Sequence, residues 1–254
     1  MKRTIFITGA SSGIGAALAA HYAAEGATLG LTARRGELLA ALAASLPTTA
    51  VTYVLDVTDA EALRHAALDF VSRHGAPDIV IANAGISIGT SGSRADDLAV
   101  LAKVLATNVT GAAATLQPFI APMRTARCGT LVGIASVAGI RGLPGSGAYS
   151  ASKAALISWL ESLRVELHGS GVRVKTILPG YIQTPMTAMN DFPMPFLLPV
   201  DEAARRIARA IDGPANYAVI PWQMGAAAML LRLLPDWAYD RLFAHAPRKP
   251  RARP

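Results

Sequence analysis

Short apolar runs alternate with longer segments of helical periodicity along most of the 254-residue chain. The runs have the length and composition of buried strands, and the segments between them repeat apolar positions at helical spacing. The predicted strands are 3–8, 28–32, 51–55, 79–82, 129–134, 173–177 and 217–220, and the predicted helices lie near 13–25, 36–46, 59–73, 96–123, 149–168 and 201–212. Because strands that alternate with helices build parallel sheets, the pattern predicts an α/β fold. We expect a doubly wound parallel sheet of about seven strands with helices on both faces.

One helix start is predicted in detail. The helix that follows residue 57 opens with Thr58-Asp59-Ala60-Glu61, which has the form of a capping box. In such a box the threonine hydroxyl would bond to a backbone amide of the first turn, and the glutamate would reach back to the threonine amide.

The composition agrees with one packed domain. Hydrophobic residues make up 52% of the chain and charged residues 16%, which excludes disorder for its body. The single cysteine, Cys128, cannot form an internal disulfide, so we predict a cytoplasmic location and expect Cys128 to be a small packed residue. The apolar run after Lys2 and Arg3 is too short for a signal peptide. No run reaches the roughly 20 apolar residues of a membrane span.

A formal net charge of +7 raises the question of nucleic acid. The basic residues are spread along the chain, except for a basic tail at 248–254. We find no lysine and arginine stripe interleaved with aromatic residues and no helix-turn-helix or RNA-binding motif, so no nucleic-acid partner is predicted. We expect the tail to be solvated and disordered, and an electrostatic role at anionic lipid is the alternative.

A glycine-rich turn follows the first predicted strand and opens the first predicted helix. It reads Thr8-Gly9-Ala10-Ser11-Ser12-Gly13-Ile14-Gly15. Glycines let a backbone turn tightly and approach a pyrophosphate, whose charge is stabilised by amides at the helix N-terminus. An ordinary strand–helix turn is the alternative, but the preceding strand and the two serine hydroxyls favour phosphate binding. The predicted phosphate-binding residues are Gly9, Ser11, Ser12, Gly13, Ile14 and Gly15.

Three polar residues form the strongest catalytic signal. Tyr149 and Lys153 lie four positions apart, and Ser136 precedes the tyrosine by thirteen. A spacing of four puts a phenol and an ammonium on one face of a helix. A free tyrosine has a pKa of about 10, which a nearby cation can lower by roughly 1–3. The trio therefore predicts an acid–base site for alcohol and carbonyl interconversion, with a packing role for Tyr149 as the alternative.

In their order and spacing, these motifs resemble those of the short-chain dehydrogenase/reductase family over residues 3–220. The matching motifs are Thr8-Gly9-Ala10-Ser11-Ser12-Gly13-Ile14-Gly15, Asp56-Val57, Asn83-Ala84-Gly85, Asn108, Ser136, Tyr149 with Lys153, and Pro179-Gly180 with Thr184. The resemblance implies a Rossmann-like fold, binding of a nicotinamide dinucleotide, and hydride transfer between the nicotinamide and a substrate carbon.

The resemblance also implies a set of cofactor contacts. The Asp56 carboxylate and the Val57 amide would recognise the adenine edge. Asn83 would line the ribose side, a role compatible with pinning adjacent strands. The Ile182 amide and the Thr184 hydroxyl would meet the nicotinamide carboxamide. The implied cofactor-binding residues beyond the glycine turn are Asp56, Val57, Asn83, Ala84, Gly85, Tyr149, Lys153, Pro179, Gly180, Ile182 and Thr184.

Four residues carry the implied chemistry. Tyr149 would exchange the proton of the substrate oxygen, and Ser136 would hold that oxygen. Lys153 would lower the pKa of Tyr149 and hydrogen-bond the nicotinamide ribose. Asn108 would hold a water in a proton relay through the lysine, and a simple helix kink is the alternative for this residue.

The stretch after the second predicted strand indicates which dinucleotide is bound. It reads Leu31-Thr32-Ala33-Arg34-Arg35, without the carboxylate that would hold the ribose hydroxyls of NAD and repel a 2′-phosphate. A guanidinium can bind a phosphate or stack on adenine. We therefore predict NADP(H) with Arg34 and Arg35 as cofactor-binding residues and keep NAD(H) as a second cofactor. The alternative is that both arginines only begin a solvated helix.

The end of the chain departs from the common family pattern. We assign 1–221 to the catalytic domain, with a substrate lid at 185–200, and 222–254 to an apolar helical extension and basic tail of the same domain. The methionines, phenylalanines and leucines of the lid favour a hydrophobic substrate. Because the extension replaces the short ending found in many tetrameric relatives, we predict a homodimer and keep a tetramer as the alternative. The extension could cover the active site, pack in an interface or make peripheral membrane contact, and packing ranks first.

Taken together, the sequence predicts an NADP(H)-dependent oxidoreductase acting on a small-molecule carbonyl or alcohol. The alternative is a non-catalytic, NADP(H)-sensing binding protein, which would typically have lost the tyrosine or the lysine. An epimerase or dehydratase for nucleotide sugars would need a further domain, and enoyl reductases space tyrosine and lysine more widely. The five histidines show no metal-ligand spacing, so no metal is expected.

Overall fold

The structure is a computed structural model that describes residues 2–251. Its centre is one parallel sheet of seven strands in the order β3-β2-β1-β4-β5-β6-β7. The strands are β1 (Thr4–Thr8), β2 (Thr28–Ala33), β3 (Ala50–Val54), β4 (Ile79–Ala82), β5 (Thr130–Ile134), β6 (Arg173–Pro179) and β7 (Tyr217–Ile220). The predicted doubly wound, Rossmann-like α/β fold is confirmed. The strand order reverses at β1 and β4, which opens a crevice at their carboxyl ends.

Helices cover both faces of the sheet. They are α1 (Gly13–Ala24), α2 (Gly36–Ser45), α3 (Ala60–His74), α4 (Asp97–Leu105), α5 (Gly111–Ala126), α6 (Gly147–Glu166), α7 (Val200–Asp212), α8 (Trp222–Leu233) and α9 (Asp236–Phe243). The predicted helix near 96–123 is divided by one wide π-helical turn, Ala106–Thr110. Turns of this kind are frequent at functional sites, and this one contains Asn108.

Alternating side chains of β1 show how the sheet separates two cores. Ile5 and Ile7 point into the core beneath α1, α2 and α7. Phe6 points to the opposite face, where its ring packs against Phe70 of α3 and Phe119 of α5 at centroid distances of 5.5 and 4.9 Å. β1 thus contributes apolar residues to both faces, which is typical of a buried parallel strand.

The predicted capping box before α3 is wrong. Asp59, not Thr58, caps the helix, because the Asp59 carboxylate accepts the Ala62 amide at 3.0 Å. The Thr58 hydroxyl instead donates to Asp56 Oδ1 at 2.9 Å. Aspartate ranks above threonine as an N-cap residue, and Asp59 lies directly before the first residue of the helix.

Two further features differ from expectation. Cys128 is exposed and not packed, since it follows Arg127, whose left-handed backbone (φ 52°) ends α5 at the surface. The helical segment Asp97–Ala126 is long and apolar enough to cross a membrane by length and composition. Its residues Leu116 and Phe119 are buried in the protein core, however, so we interpret the segment as a core helix.

The helices α8 and α9 pack against the loop that follows β5. Arg141 of that loop donates to the Leu234 carbonyl at 2.7 Å and to the Asp236 carboxylate at 3.0 Å, and its guanidinium lies 3.9 Å from the centre of the Tyr239 ring. The Tyr239 hydroxyl donates to the Gly142 carbonyl at 2.6 Å. The extension is thus held beside the loop that leads to Tyr149.

The basic tail also differs from the prediction. Its residues 248–251 have a defined position against the loops that follow β4 and β5, although all but Lys249 are exposed, and Arg251 forms an ion pair with Asp97 at 2.7 Å. A buried carboxylate on α4 therefore fixes a segment whose composition alone suggests mobility. The last part of the predicted tail, 252–254, lies outside the described residues.

Candidate active site

The glycine turn between β1 and α1 is built so that no side chain fills the space in front of the helix. Gly9 and Gly13 have φ values of 68° and 57°, which favour glycine. A Cβ on Gly15 would lie 2.4 Å from the Gly9 carbonyl oxygen. Ser12 is the N-cap of α1, and its hydroxyl makes no capping hydrogen bond. The first amides of the helix thus lack a side-chain cap, which is the arrangement that binds a phosphate.

Arg35 reaches the same turn from the end of β2. Its guanidinium donates to Ser12 Oγ at 2.6 Å and to Ser11 Oγ at 3.0 Å. Arg34 points the other way and lies 3.5 Å from the Asp56 carboxylate. Both guanidinium groups are exposed, and Ala33 before them is buried without an acidic group. This corner of the cleft is cationic and suits a 2′-phosphate.

Asp56 is held in position by Thr58, the residue that does not cap α3. The Thr58 amide donates to Asp56 Oδ1 at 3.0 Å and is the main reason that the carboxyl pKa is lowered. Within residues 2–251, the other carboxylate oxygen of Asp56 has Arg34 as its only side-chain partner. Val57 next to it is buried. Asp56 is therefore held in its charged form at the end of β3, with one oxygen directed toward the cationic corner.

Asn83 at the end of β4 holds the glycine turn in place. Its side-chain amide donates to the carbonyls of Thr8 and Gly9 at 3.0 and 3.2 Å. A Cβ on Gly9 would lie 2.7 Å from the Ala84 Cα, so the two backbones are in close contact. This is the strand-pinning role that the sequence left open for Asn83, and it leaves Ala84 and Gly85 lining the cleft.

Tyr149, Lys153 and Ser136 meet at the carboxyl end of β5. Tyr149 and Lys153 lie one turn apart on α6, and the Lys153 Nζ atom is 5.7 Å from the centre of the Tyr149 ring. The Tyr149 hydroxyl lies near Ser136, which ends the strand. The Lys153 ammonium is buried and donates to the Ile134 carbonyl at 2.8 Å. The predicted trio is therefore assembled on one wall of the cleft.

The electrostatics of this trio differ from the sequence expectation. Burial raises the pKa of Tyr149, and the neighbouring Ser136 hydroxyl lowers it to a smaller extent. Burial also lowers the pKa of Lys153 to about 8. The net pKa of Tyr149 is therefore raised and not lowered, because desolvation outweighs the effect of a cation that is directed at the Ile134 carbonyl. The phenol therefore keeps its proton at neutral pH.

Asn108 lies behind the cleft and does not line it. Its side-chain oxygen accepts the Ile86 amide at 2.8 Å, and its amide nitrogen donates to the Ile86 carbonyl and to Ser152 Oγ, both at 2.9 Å. The side chain is fully buried and fully bonded. It fixes the loop after β4 against α6, so the structure gives Asn108 a positioning role and leaves its side chain no free donor for a water.

The end of β6 closes the cleft opposite the glycine turn. Ser136 Oγ donates to the Pro179 carbonyl at 3.4 Å, and the Gly180 amide donates to the Ile220 carbonyl at 2.8 Å. A Cβ on Gly13 would lie 3.3 Å from the Thr184 methyl group, so the turn that follows β6 reaches across to α1. Ile182 is buried beneath this turn.

One cleft collects most of the predicted residues. It is lined by every predicted site residue except Gly15, which lies under the glycine turn, and Asn108. The predicted lid contributes Pro185, Met186 and Thr187, and lining residues that the sequence reasoning missed are Ala33, Leu55, Ile86, Thr107, Ile134 and Ala135. Most are apolar and adjoin a predicted residue, so position at a strand end was the only signal that could have found them. The cleft suits an elongated ligand with phosphate at one end and a reacting group beside Tyr149. The glycines leave the space for it.

Comparisons with known proteins agree with this geometry. A family model described as short chain dehydrogenase matches residues 3–192. An uncharacterized oxidoreductase of Myxococcus xanthus is 41% identical over 94% of this chain and 95% of its own length. A 3-oxoacyl-(acyl-carrier-protein) reductase of Thermotoga maritima is 35% identical over 73% of this chain and 76% of its own. A short chain dehydrogenase of Burkholderia cenocepacia, solved in complex with NADP, superposes with a TM-score of 0.82 at 26% identity, covering 97% of this chain and 98% of the other.

Proposed function

This chain belongs to the short-chain dehydrogenase family, and from that premise we propose that it is an NADP(H)-dependent oxidoreductase. It would interconvert a carbonyl and a secondary alcohol on a small, largely hydrophobic molecule, with Tyr149 as acid and base. The observation that carries the proposal is that Tyr149, Ser136 and Lys153 lie together on one wall of a cleft. The other end of this cleft is the N-terminus of α1, which has no side-chain cap. The alternative of a non-catalytic, NADP(H)-sensing protein is less well supported, because such a protein would typically have lost the tyrosine or the lysine and this chain has both.

The roles follow from the geometry. Bound NADPH would supply the hydride. In the reductive direction Tyr149, whose phenol is protonated at neutral pH, would donate its proton to the carbonyl oxygen. Ser136, which lies near the phenol, would hold that same oxygen. Once the proton has left, the Lys153 ammonium would stabilise the phenolate from 5.7 Å, measured to the ring centre. In the oxidative direction the same groups would act in reverse.

The direct test is NADPH oxidation with a panel of ketones, aldehydes and quinones, followed at the absorbance of the reduced cofactor. We expect turnover with at least one apolar ketone or aldehyde. Binding of NADPH without turnover of any panel member would instead support the sensor alternative.

The cofactor preference depends on Arg35. Arg35→Ala removes a guanidinium that lies on both serines of the phosphate turn. We expect the KM for NADPH to rise roughly 10–100-fold, since a hydrogen bond to a charged group is worth roughly 1.5–3 kcal/mol. The KM for NADH should change little. Steady-state kinetics with both cofactors measure this, and Arg64→Ala, an exposed arginine on α3, is the matched control. Equal losses with both cofactors would mean that Arg35 only supports the turn.

A hydrophobic substrate is supported by the lid, residues 185–200. Met189 and Phe196 are 62% and 52% exposed there, so their apolar side chains are available to contact a bound molecule. Tyr181 and Phe192 pack edge to face at a centroid distance of 6.3 Å and form an apolar base for the lid. The acyl chain named for the Thermotoga maritima relative agrees with this chemistry. A panel in which only small, strongly polar carbonyls turn over would contradict it.

We propose that the exposed face of α8 and α9 is covered by a second copy of the chain. Trp222, Leu230, Leu233 and Trp237 are each at least 65% exposed, which forms an apolar patch unusual for a monomer. A bilayer is the poorer occupant, because Asp236 and Asp240 offset Arg232 and Arg241, so the two helices carry no net positive charge to attract anionic lipid headgroups. This reading agrees with the predicted homodimer.

Light scattering on the purified chain tests the dimer. We expect twice the 26.4 kDa chain mass for the wild type and the chain mass for a Leu230→Glu, Leu233→Glu variant. Leu38→Glu, on α2, is the control for a new surface charge. A dimer that survives the double change would place the interface elsewhere, and co-sedimentation of the wild type with anionic vesicles would favour the membrane alternative.

A further inference from the structure

The C-terminal residues 248–251, here called the strap, lie across two loops that flank the catalytic tyrosine. The first loop, 86–90, continues from the cleft-lining end of β4. The second, 142–147, leads into α6 and ends two positions before Tyr149. The strap thus packs on two loops that continue from the walls of the cleft, although none of its own residues is among those that line the cleft.

The two loops are shaped to accept the strap. A Cβ on Gly89 would lie 2.4 Å from the carbonyl oxygens of Lys249 and Pro250, and one on Gly145 would lie 2.7 Å from the Arg248 Cβ. No other residue type fits at either position without moving the strap. Two glycines in separate loops thus leave room for the same four residues, which indicates a defined docking position.

Arg251 fastens the end of the strap. Its guanidinium makes a bidentate contact with the Asp97 carboxylate, donating to the two oxygens at 3.0 and 2.7 Å. The Asp97 carboxylate is also bonded by the Ser91 amide at 2.6 Å, and its side chain is only 9% exposed. Paired geometry of this kind is the strong form of an ion pair, and it neutralises the charge of Arg251.

Lys249, two positions earlier, is differently placed. Its Nζ atom donates to Ser87 Oγ at 2.9 Å, next to Ile86, which lines the cleft. The side chain is half-buried, and among residues 2–251 no carboxylate lies within ion-pair distance of it. Burial without a compensating anion lowers the pKa of Lys249 and costs free energy that a neutral donor to Ser87 would not cost.

We propose that Lys249 binds a carboxylate of the substrate at the outer end of the cleft. One ammonium beside one hydroxyl matches a singly charged carboxylate better than a phosphate, which usually takes several donors. The substrate would then have an apolar body under the lid, a carbonyl at Tyr149 and one anionic end at the strap. This inference rests on the proposed carbonyl and alcohol chemistry and adds the chemical class of the substrate.

A matched pair of ketones tests the proposal, namely 4-acetylbenzoate and its methyl ester, each with NADPH. For Lys249→Met we expect the ratio of kcat/KM for the acid to that for the ester to fall roughly 10–100-fold relative to wild type. The loss should lie in the KM of the acid and not in kcat. Lys249→Arg should restore most of the ratio. Lys103→Met, which removes an exposed lysine from α4, is the control and should leave the ratio unchanged.

The outcomes separate this inference from the proposed function. Reduction of both ketones with an acid-to-ester ratio that Lys249→Met does not alter would overturn the inference and leave the function standing. Should neither ketone be reduced, calorimetric titration of the NADP⁺-loaded protein with benzoate decides. Binding to the wild type that is lost in Lys249→Met would support the anion site without the proposed reaction. Absence of benzoate binding to the wild type would overturn the site.

Discussion

Tyr149→Phe is expected to lower kcat roughly 10²–10⁴-fold, the range that general acid catalysis contributes. The change removes one oxygen and leaves the aromatic ring, so the wall of the cleft keeps its shape. The lost group is the proton donor, which lies near Ser136 at the carboxyl end of β5. Since the cofactor's phosphates would bind at the opposite end of the cleft, we expect the Kd for NADPH to stay within about twofold. Single-turnover kinetics and a fluorescence titration with NADPH measure the two quantities.

The control for this substitution is Tyr22→Phe. Tyr22 is fully buried in the core beneath α1, and its hydroxyl has no hydrogen-bond partner among residues 2–251. Removing a buried hydroxyl that has no partner should not reduce stability, and it should leave turnover intact. A Tyr149→Phe enzyme with wild-type kcat would refute the assignment of the acid. A variant that loses both turnover and NADPH binding would instead indicate a collapsed cleft.

The sheet could be predicted from the sequence because its strands are buried on both faces. The run at 79–82 and the run at 217–220 coincide with β4 and β7, since glycine and polar residues bound them closely. The strand at 173–177 extends instead to Pro179. Proline usually ends a strand, but here the residues beyond Ile177 pair with β7, a long-range contact that no local pattern contains.

The cleft could be predicted where its residues are glycines or have chemically distinctive side chains at recognisable positions. Glycines before a helix, an asparagine at a strand end and a tyrosine four positions before a lysine are each informative alone and more so together. Asn108 was recognised as polar and out of place in a helix, but its partner Ile86 offers only backbone groups. A bond between a side chain and a backbone leaves no trace in the composition of the partner segment.

The tail shows the opposite limit. Its seven residues carry charge and proline and nothing apolar beyond one alanine, which by composition predicts disorder. The described part of the tail is held by Asp97, which lies more than 150 positions earlier in the sequence. Gly89 and Gly145 leave room for it, but a glycine in a loop does not by itself predict such a contact. Electrostatic pairs over such distances in sequence cannot be assigned before the fold is known.

Lys153→Met should separate activity from stability in one substitution. We expect kcat to fall roughly 10²–10³-fold, because no ammonium would then stabilise the phenolate formed when Tyr149 gives up its proton. We also expect the free energy of unfolding at pH 7 to rise. Burial lowers the pKa of Lys153 from 10.5 to about 8, so the buried ammonium destabilises the fold by about 3 kcal/mol at pH 7. The lost hydrogen bond to Ile134 offsets roughly 1–2 kcal/mol of this.

The sign of the pH dependence makes this prediction specific. Between pH 8 and 10.5 the unfolded lysine binds a proton that the folded one has released, so wild-type stability rises with pH across this window. The gain of Lys153→Met should therefore be largest at pH 8 and below and should disappear as the pH approaches 10.5. Urea unfolding of both proteins at pH 7 and pH 10 measures it.

Lys175→Met is the matched control, because Lys175 is also a fully buried lysine but lies on β6 away from the cleft, where its ammonium bonds to the Ala215 carbonyl at 2.8 Å. That variant should keep its kcat. If Lys153→Met were less stable than the wild type at every pH, the buried ammonium would be a net stabilising group. Lys153 would then contribute to the stability of the fold as well as to the reaction.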